Sequence, residues 1–427
     1  MKTKLLSLLL AMSSCCGVHA AVTIEECVSK AMENYPLIRK YGLLETTTDI
    51  ELSDINKGWL PRIGLYGQAS GQNIVPSFPD ALSGVLQQMG QEVKGIDRFQ
   101  YKAGIDFLQT IWDGGASRAG REHVRAQEAV KQVSLDVEMY AVRQRVENVY
   151  FAILLTEEQI AQNHITYDLL TANLEKMRAM LKNGAAMQSD VDMVEAQALA
   201  LKQVIRQAQF AAEGYRRVLG IFIGEDVISE VLIMPDSTMP LSDNSKRPEL
   251  KLFDKQVAAN NAADIMANVS LMPRIGLFAQ AYYGYPGLDY FKSMMERNLS
   301  FNILAGVKVS WNIDSFYTRK NTRRRTSVNN AGIATDRDLF LFNNRLQAIS
   351  QMVSINGMQS IIMDDARIVE LRKNVRKAAE SQLDNGVIDA TALLTKITDE
   401  NVARLTSRYH DIQLRQEIYK LKYILNQ

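Results

Sequence analysis

The sequence lacks any apolar run long enough to cross a bilayer as a helix. Its longest runs, such as "FAILL" at residues 151–155, fall far short of the roughly 18 residues that such a span needs. We therefore expect a periplasmic or secreted protein, or one that crosses a membrane as a closed β-barrel. The sequence also lacks an excess of positive or negative residues, since its formal net charge is only +1. Composition thus argues against a nucleic-acid partner.

Cysteine is scarce, with three residues in 427, and two of them lie close to the N-terminus. Residues 1–20 combine lysines, an apolar stretch and the small-residue motif "VHA", which is typical of a secretory signal peptide cleaved before Ala21. Cleavage there leaves Cys27 alone and rules out an intramolecular disulfide. In the alternative interpretation, "MSSC" at residues 12–15 is a lipoprotein signal and Cys15 is acylated.

Motifs for chemistry are missing as well. The four histidines are scattered and show no spacing typical of metal ligands, so we interpret them as ordinary surface residues: His19, His123, His164 and His410. No nucleotide-binding or nucleophile-elbow motif occurs, and "RRR" at residues 323–325 indicates a solvated face or a contact with lipid headgroups. We predict that the protein is not an enzyme and carries no cofactor or metal.

Proline is absent between Pro79 and Pro235 and again after Pro286. These stretches are rich in good helix formers, which predicts one long helix in each, over 116–182 and 318–383. At about 1.5 Å per residue, the first would span roughly 100 Å. A compact globule has no use for such a helix, so its length indicates an elongated protein.

The chain contains an internal repeat. "LPRIGLYGQA" (60–69) returns as "MPRIGLFAQA" (272–281), "TIWDGG" (110–115) aligns with "WNIDSF" (311–316), and "KNGAAMQSDV" (182–191) aligns with "DNGVIDATAL" (384–393). From Asp113 to Asn183 is 70 positions, and from Asp314 to Asn385 is 71. Two copies of one supersecondary unit are therefore expected, with a long helix of conserved length in each.

The predicted elements fall into two halves. The first repeat, 21–240, is expected to hold a helix at 23–58, strands at 61–70 and 99–112, the long helix 116–182 and a helix at 187–220. The second, 241–427, is expected to hold a helix at 247–269, strands at 273–283 and 299–311, the long helix 318–383 and a helix at 388–426. Helix 187–220 carries apolar residues in a heptad pattern from Val191 to Leu219, which predicts side-by-side coiled-coil packing.

The four strands alternate apolar and polar residues over ten to thirteen positions, about the length of a tilted membrane strand. All three tryptophans lie at the strand ends next to the helices, as an aromatic girdle would: Trp59, Trp112 and Trp311. The alternative is a soluble sheet with one face in a core and tryptophans filling a junction. Four strands cannot close a membrane barrel, so a membrane sheet requires several chains to share one.

In order and duplication, these segments resemble the TolC family of outer-membrane efflux proteins. The resemblance rests on "VTIEECVSKAMENYPLIRK" (22–40), "LPRIGLYGQA", "IWDGG", the "NG" turn with "SDVDMVEAQ" (189–197), and the second copy in the same order. It implies a mainly helical protein with some β structure, assembled as a homotrimer. Its twelve-stranded outer-membrane β-barrel would take four strands from each chain and continue into a periplasmic α-helical coiled-coil barrel.

The resemblance also implies a function and partners. The trimer would be a passive exit duct in the outer membrane, contacting lipid and docking through its helix-hairpin tips onto a periplasmic adaptor, or membrane fusion protein, served by an inner-membrane pump. The implied tip and gate residues are Asn183, Gly184, Asp190, Asn385, Gly386 and Asp389. In the second hairpin, Ala392 and Thr395 stand where the best-known family pattern has acids, and Asp389 is the substitute. Asp190 can equally be a helix-capping residue.

A second function class stays open from the sequence. A periplasmic coiled-coil scaffold or adaptor would use the same long helices, with the strands forming a small soluble sheet. Fractionation of the expressed chain distinguishes the two classes, because only a membrane sheet requires detergent for solubility.

Overall fold

The computed structural model describes residues 21–90, 95–240 and 245–427. The expected signal peptide and the alternative acylation site at Cys15 lie outside these ranges. The chain forms two compact units, each built from segments of both halves of the sequence. The helical unit contains the described residues up to Gly42, Gln132–Leu252 and Thr335–Gln427. The sheet unit contains Leu43–Lys131 and Phe253–Ala334.

Helices dominate both units. The nine α-helices assigned in the described ranges are α1 Ile24–Asn34, α2 Arg39–Lys57, α3 Asp80–Gln88, α4 Ala116–Lys182, α5 Gln188–Ile223, α6 Pro248–Asn268, α7 Tyr290–Met295, α8 Ser315–Asp384 and α9 Ala390–Leu425. The strands are β1 Ala21–Val22, β2 Arg62–Gly71, β3 Phe99–Trp112, β4 Val231–Leu232, β5 Arg274–Tyr285 and β6 Ser300–Ser310.

None of the helices in the described ranges combines the length and the apolar composition that a membrane-spanning helix requires.

The single helix expected over 23–58 is wrong. The structure has α1, a 3₁₀ turn at Pro36–Ile38, and then α2. Tyr35 takes an extended backbone with ψ of 130°, because the ring of the following proline disfavours the helical conformation in the residue before it. Helix α1 begins at a capping box in which Thr23 and Glu26 each accept from the other's backbone N–H.

The links between paired strands also differ from simple loops. The segment after β2 contains α3, and the segment after β5 contains α7. Helix α7 is capped by Asp289, whose Oδ1 accepts from the backbone N–H of Lys292 at 2.9 Å. Tyr285, at the end of β5, packs with Ile96 and Met294 under these helices, so the links are folded against the end of the sheet.

The helical unit is held by two large clusters of buried side chains. One surrounds the short parallel pair β1 and β4, where the Tyr150 hydroxyl lies 2.8 Å from the carbonyl oxygen of Val22 and 2.7 Å from that of Ile233. The other joins α4, α5, α8 and α9 close to the two Asn-Gly turns. Burial of each large apolar side chain contributes about 1.5–3 kcal/mol. Most of the expected heptad seam of α5 is buried, at Val191, Val194, Ala198, Ile205, Ala208, Ala212 and Leu219, whereas Tyr215 in the same pattern is exposed.

The sheet unit contains a four-stranded sheet in the order β2-β3-β5-β6, with every neighbouring pair antiparallel. The central pairing joins the second strand of one half to the first strand of the other half. Its register sets Ile105 opposite Ala281 and Asp106 opposite Gln280. Across the sheet, odd-numbered residues lie opposite odd-numbered residues, and even-numbered opposite even-numbered. Because side chains alternate between the two faces of a strand, all odd-numbered side chains share one face and all even-numbered side chains the other. The rule holds as far as Thr110 on β3, where a bulge follows.

Candidate functional site

The odd-numbered face of the sheet is apolar and exposed. Its members are Ile63, Leu65, Gly67, Ala69 and Gly71 on β2, Phe99, Tyr101, Ala103, Ile105, Phe107 and Ile111 on β3, with Gln109 as the one polar side chain, Ile275, Leu277, Ala279, Ala281 and Tyr283 on β5, and Phe301, Ile303, Ala305, Val307 and Val309 on β6. Tyr285, at the far end of β5, is buried against Ile96 and Met294 instead. Leu65 is 83% exposed and Phe301 is 66% exposed. A water-soluble sheet buries its apolar face in a core, so this face requires an apolar environment outside the chain.

The even-numbered face is the polar one, and it carries every charged side chain of the four strands. The Asp106 Oδ1 accepts a 2.8 Å hydrogen bond from the Gln280 side chain on the neighbouring strand. The Lys102 ammonium lies 5.9 Å from the ring centroid of Tyr66 and 5.4 Å from that of Tyr282, within the range of cation–π attraction. These contacts across three strands form a hydrogen-bonding surface suited to water.

The two outermost strands are open. Strand β2 pairs only with β3 and strand β6 only with β5 among the strands of residues 21–90, 95–240 and 245–427. Their outer edges, ten and eleven residues long, therefore present backbone donors and acceptors that another strand can pair with.

The three tryptophans lie at one end of this sheet, where the helices begin. Alternation by number would place Trp112 on the polar face, but Ile111 forms a β-bulge and Trp112 lies opposite Ile275 of the apolar set. An inserted residue turns the next side chain to the other face. Trp59 and Trp311 are 63% and 55% exposed. The Trp311 Nε1–H donates to the Leu271 carbonyl oxygen at 2.9 Å, so its polar atom is satisfied beside an exposed ring.

The first Asn-Gly turn closes α4. Gly184 has a φ of +73°, a conformation that glycine adopts without the strain a Cβ brings. Its N–H donates to Leu181 at 2.9 Å and the N–H of Ala185 donates to Met180 at 2.8 Å, which is a Schellman end. Asn183 is the last residue before this glycine, and its N–H donates to Ala179 at 3.2 Å.

The second Asn-Gly turn, after α8, has the same geometry. Gly386 has a φ of +70°, its N–H donates to Leu383 at 2.9 Å, and the N–H of Val387 donates to Gln382 at 2.8 Å. The Asn385 side chain donates to the Ser381 carbonyl oxygen at 2.7 Å. The two turns therefore end their helices in one way, although few residues around them are shared.

Asp190 and Asp389, the two acids expected at the tips, cap the helices that follow their turns. The Asp190 Oδ2 accepts a 2.9 Å hydrogen bond from the backbone N–H of Met187 at the start of α5. The Asp389 Oδ1 accepts a 2.8 Å bond from the backbone N–H of Ala392 at the start of α9. These two hydrogen bonds account for the presence of both acids as helix-capping residues. The hairpins also touch, since the Thr391 hydroxyl lies 3.3 Å from the Met193 sulfur.

Comparison with known proteins finds likeness in structure alone. No protein-family model matches the chain, and no curated protein sequence matches it. The outer-membrane channel OprN matches with a TM-score of 0.66 at 14% identity, over 94% of this chain and 89% of that chain. VceC from Vibrio cholerae matches with a TM-score of 0.65 at 12% identity, over 94% of each chain. The open state of MtrE from Neisseria gonorrhoeae matches with a TM-score of 0.63 at 12% identity, over 94% and 88%.

The chain has the fold of the TolC-like outer-membrane channels. The likeness extends over 94% of this chain in each of the three comparisons. The expected fold class is therefore confirmed at the level of a mainly helical chain with a four-stranded antiparallel sheet.

The helical unit also contains an ion-pair network that the sequence did not single out. Glu400 on α9 is 5% exposed and contacts Arg376 on α8, and its Oε1 lies 2.6 Å from the Arg404 Nη2. Burial raises the pKa of Glu400, but the hydrogen bonds from both arginines outweigh it and hold the pKa below its ordinary value. The i, i+4 spacing of Glu400 and Arg404 was a visible signal, whereas the contact with Arg376 depends on helix packing.

The interpretation of all the histidines as surface residues is wrong for His410. This residue is half-buried between α8 and α9, and its Nδ1 lies 2.8 Å from the Asp365 Oδ2. His164 is exposed, and His123 contacts Gln127. Within the described ranges, no group of three or more histidine, cysteine or acidic side chains could hold a metal ion.

Proposed function

We propose that this protein is the outer-membrane exit duct of a tripartite efflux or secretion system. It conducts substrate passively from a periplasmic adaptor and an inner-membrane pump to the outside. The observation that carries the proposal is the sheet, whose odd face is apolar and exposed while all its charges lie on the even face. Lipid outside and water inside is the arrangement that satisfies both faces.

The functional form in this proposal is a homotrimer. The outer edges of β2 and β6 are open, and four strands are too few to close a barrel. Pairing β6 of one copy with β2 of the next, three times over, gives a closed ring of twelve strands. The two matching Schellman turns support the internal repeat that the sequence motifs predict.

Exposed apolar side chains on the helices supply surfaces for the same contacts between copies. In the helical unit, Phe210 and Ile221 on α5 are 74% and 77% exposed. Helix α8 exposes another set in this unit, namely Leu339, Phe342, Leu346, Ile349 and Val353. Monomeric soluble proteins seldom leave this much apolar surface uncovered. Packing of three copies into one coiled-coil tunnel, extending into the periplasm, would bury it.

The tryptophans and the turns then take distinct roles. Trp59, Trp112 and Trp311 form an aromatic belt at the periplasmic membrane interface, where an amphipathic ring is favoured. The Asn183-Gly184 and Asn385-Gly386 turns form the periplasmic tips that dock on the adaptor. Asp190 and Asp389 recur three times each in the trimer, as rings of charge at the tunnel mouth.

Fractionation and mass measurement test the proposal against the periplasmic scaffold or adaptor. We expect the full chain in the outer-membrane fraction, soluble only in detergent, with the mass of three chains once detergent is subtracted. The purified protein should form channels in planar lipid bilayers. A detergent-free monomer in the periplasmic fraction would exclude the duct and favour the scaffold.

A further inference from the structure

The charges of the four-stranded sheet are unequal in sign. The strands carry four cationic side chains and one anionic side chain, a net formal charge of +3 for each chain: Arg62, Lys102, Arg274, Lys308 and Asp106. All five have even numbers and share the polar face. We infer that the sheet lines an anion-selective passage and that the exported substrates are negatively charged. The inference rests on the proposed duct.

Three of the cations lie toward the helix end of the sheet: Arg274 and Lys308 are close to each other on the neighbouring strands β5 and β6, and Arg62 is at the start of the outer strand β2. Arg62 lies opposite Leu108, Lys308 opposite Gly276, and Arg274 opposite Ser310, all within the last few rows of their strands. The side chains of Arg62, Arg274 and Lys308 are exposed. In a trimer these three cations recur in every copy around one lumen, which makes a basic band near this end of the sheet.

The remaining two charges do not cancel this band. The Lys102 ammonium lies between the rings of Tyr66 and Tyr282, which attract a cation without neutralising it. Asp106 is four residues from Lys102 along β3, about 13 Å at the usual rise. It lies opposite Gly64 and diagonal to Arg62, so it offsets at most one cation of the band. Its carboxylate is engaged by the neutral amide of Gln280 rather than by a cation of this face. The polar face of the sheet therefore has four cations and one carboxylate.

Charge at the other end of the sheet is nearly balanced. In the described segments that link β2 to β3 and β5 to β6, the acids are Asp80, Asp97, Asp289 and Glu296 and the bases are Arg98, Lys292 and Arg297. Arg297 and Asp97 form an ion pair at 3.3 Å. The sheet face is thus where one sign dominates. A narrow water-filled passage lined by one sign concentrates the opposite ion, because its low-dielectric wall focuses the field.

Reversal potentials in planar bilayers of zwitterionic lipid under a KCl gradient test the inference. The measurement uses the D190N/D389N protein, so that the acidic tip residues do not mask the sheet, and asparagine retains the capping oxygen. We expect a chloride-to-potassium permeability ratio above one. The further change K102E/K308E makes the net charge of the sheet face negative and should invert the ratio.

A matched control is Lys292→Glu on the short helix α7, which makes the same charge change outside the sheet. Lys292→Glu should change the chloride-to-potassium permeability ratio less than Lys102→Glu alone or Lys308→Glu alone. Channels that prefer potassium in the D190N/D389N background, or a K102E/K308E protein with unchanged selectivity, would overturn the inference while leaving the duct intact. Absence of any channel activity in the wild-type protein would instead contradict the proposed function.

Discussion

Ile303 and Leu304 are neighbours on β6 that face opposite sides of the sheet, Ile303 opposite Ala281 and Leu304 opposite Gln280. Both side chains are exposed, at 61% and 45%. Ile303→Lys would place an ammonium group on the face we assign to lipid, close to the middle of the strands. We expect a loss of about 2–4 kcal/mol in the free energy of unfolding in bilayers. Urea unfolding from lipid vesicles, followed by gel mobility, measures it.

Leu304→Lys is the control for this change, because it introduces the same group one residue away on the face that we assign to the lumen. It should leave stability nearly unchanged and should fold with wild-type yield. If both variants lose the same stability, or if only Leu304→Lys does, the lipid-facing assignment of the odd-numbered residues is wrong.

Tryptophan fluorescence provides a test of the membrane interface, because all three tryptophans of the chain lie in the proposed belt. Lipids brominated near the headgroup should quench the intrinsic fluorescence of the reconstituted protein more strongly than lipids brominated near the chain end. The physical reason is that indole rings collect at the interface. Single-tryptophan variants, with phenylalanine at the other two positions, resolve Trp59, Trp112 and Trp311 individually.

A depth reference comes from Ile105→Trp in a protein with all three native tryptophans replaced by phenylalanine. Ile105 lies in the same row as Leu65 and Ile303, on the odd-numbered face. Its fluorescence should respond most to the deep bromines. Native tryptophans that show the deep pattern, or no quenching at all, would exclude the belt.

Two substitutions at Asp190 distinguish its role as a helix cap from its role as a charged residue at the tunnel mouth. Asp190→Asn removes the charge but retains an oxygen for the Met187 N–H, whereas Asp190→Ala removes both. If the carboxylate lines the tunnel mouth, both variants should lower the cation permeability of the channel, and the alanine variant should also lose about 0.5–2 kcal/mol of stability. Unchanged conductance and selectivity in Asp190→Asn would leave Asp190 as a helix cap only.

The Glu400 network predicts a dependence of stability on pH. Because the folded-state pKa of Glu400 lies below its ordinary value, its ion pairs stabilise the protein fully above the unfolded pKa of about 4.3. The stabilisation is lost as the pH falls through the folded pKa. Glu400→Gln should cost about 1–3 kcal/mol near neutrality, and its thermal midpoint should approach that of the wild type in acid.

Glu370→Gln is the matched control for the network. Glu370 pairs with Arg367 at 2.7 Å, but both side chains are well exposed, so solvent screens the interaction. Its midpoint should stay close to that of the wild type at every pH. A Glu400→Gln protein that behaves like this control would show that the buried network adds no stability.

Several features were visible in the sequence because they depend on neighbours along the chain. Alternation in β2, β3, β5 and β6 identified the strands and their two faces, the absence of proline predicted α4 and α8, and the glycines of both Asn-Gly pairs take the left-handed conformation at their turns. The break at Pro36 was equally local, and proline itself was the signal. The long run of helix formers on both sides obscured it.

Other features had no local signal. The bulge at Ile111 turns Trp112 to the apolar face, against the parity of its number, and only pairing with Ile275 shows it. The burial of Glu400 and His410 arises where α8 packs on α9. A charged residue surrounded by polar neighbours in sequence looks the same whether its helix face meets water or another helix.

The sequence by itself determined the kinds of elements, the apolar and polar faces of the strands, and the glycine turns, because hydrophobic period and backbone sterics act over a few residues. The tertiary structure decided that β3 pairs with β5, that no strand of the described residues pairs with the outer edges of β2 and β6, and that four cations share one face with a single acid. An alternating strand can pair with any other alternating strand. Which partner and which register it takes depend on long-range packing that no local pattern encodes.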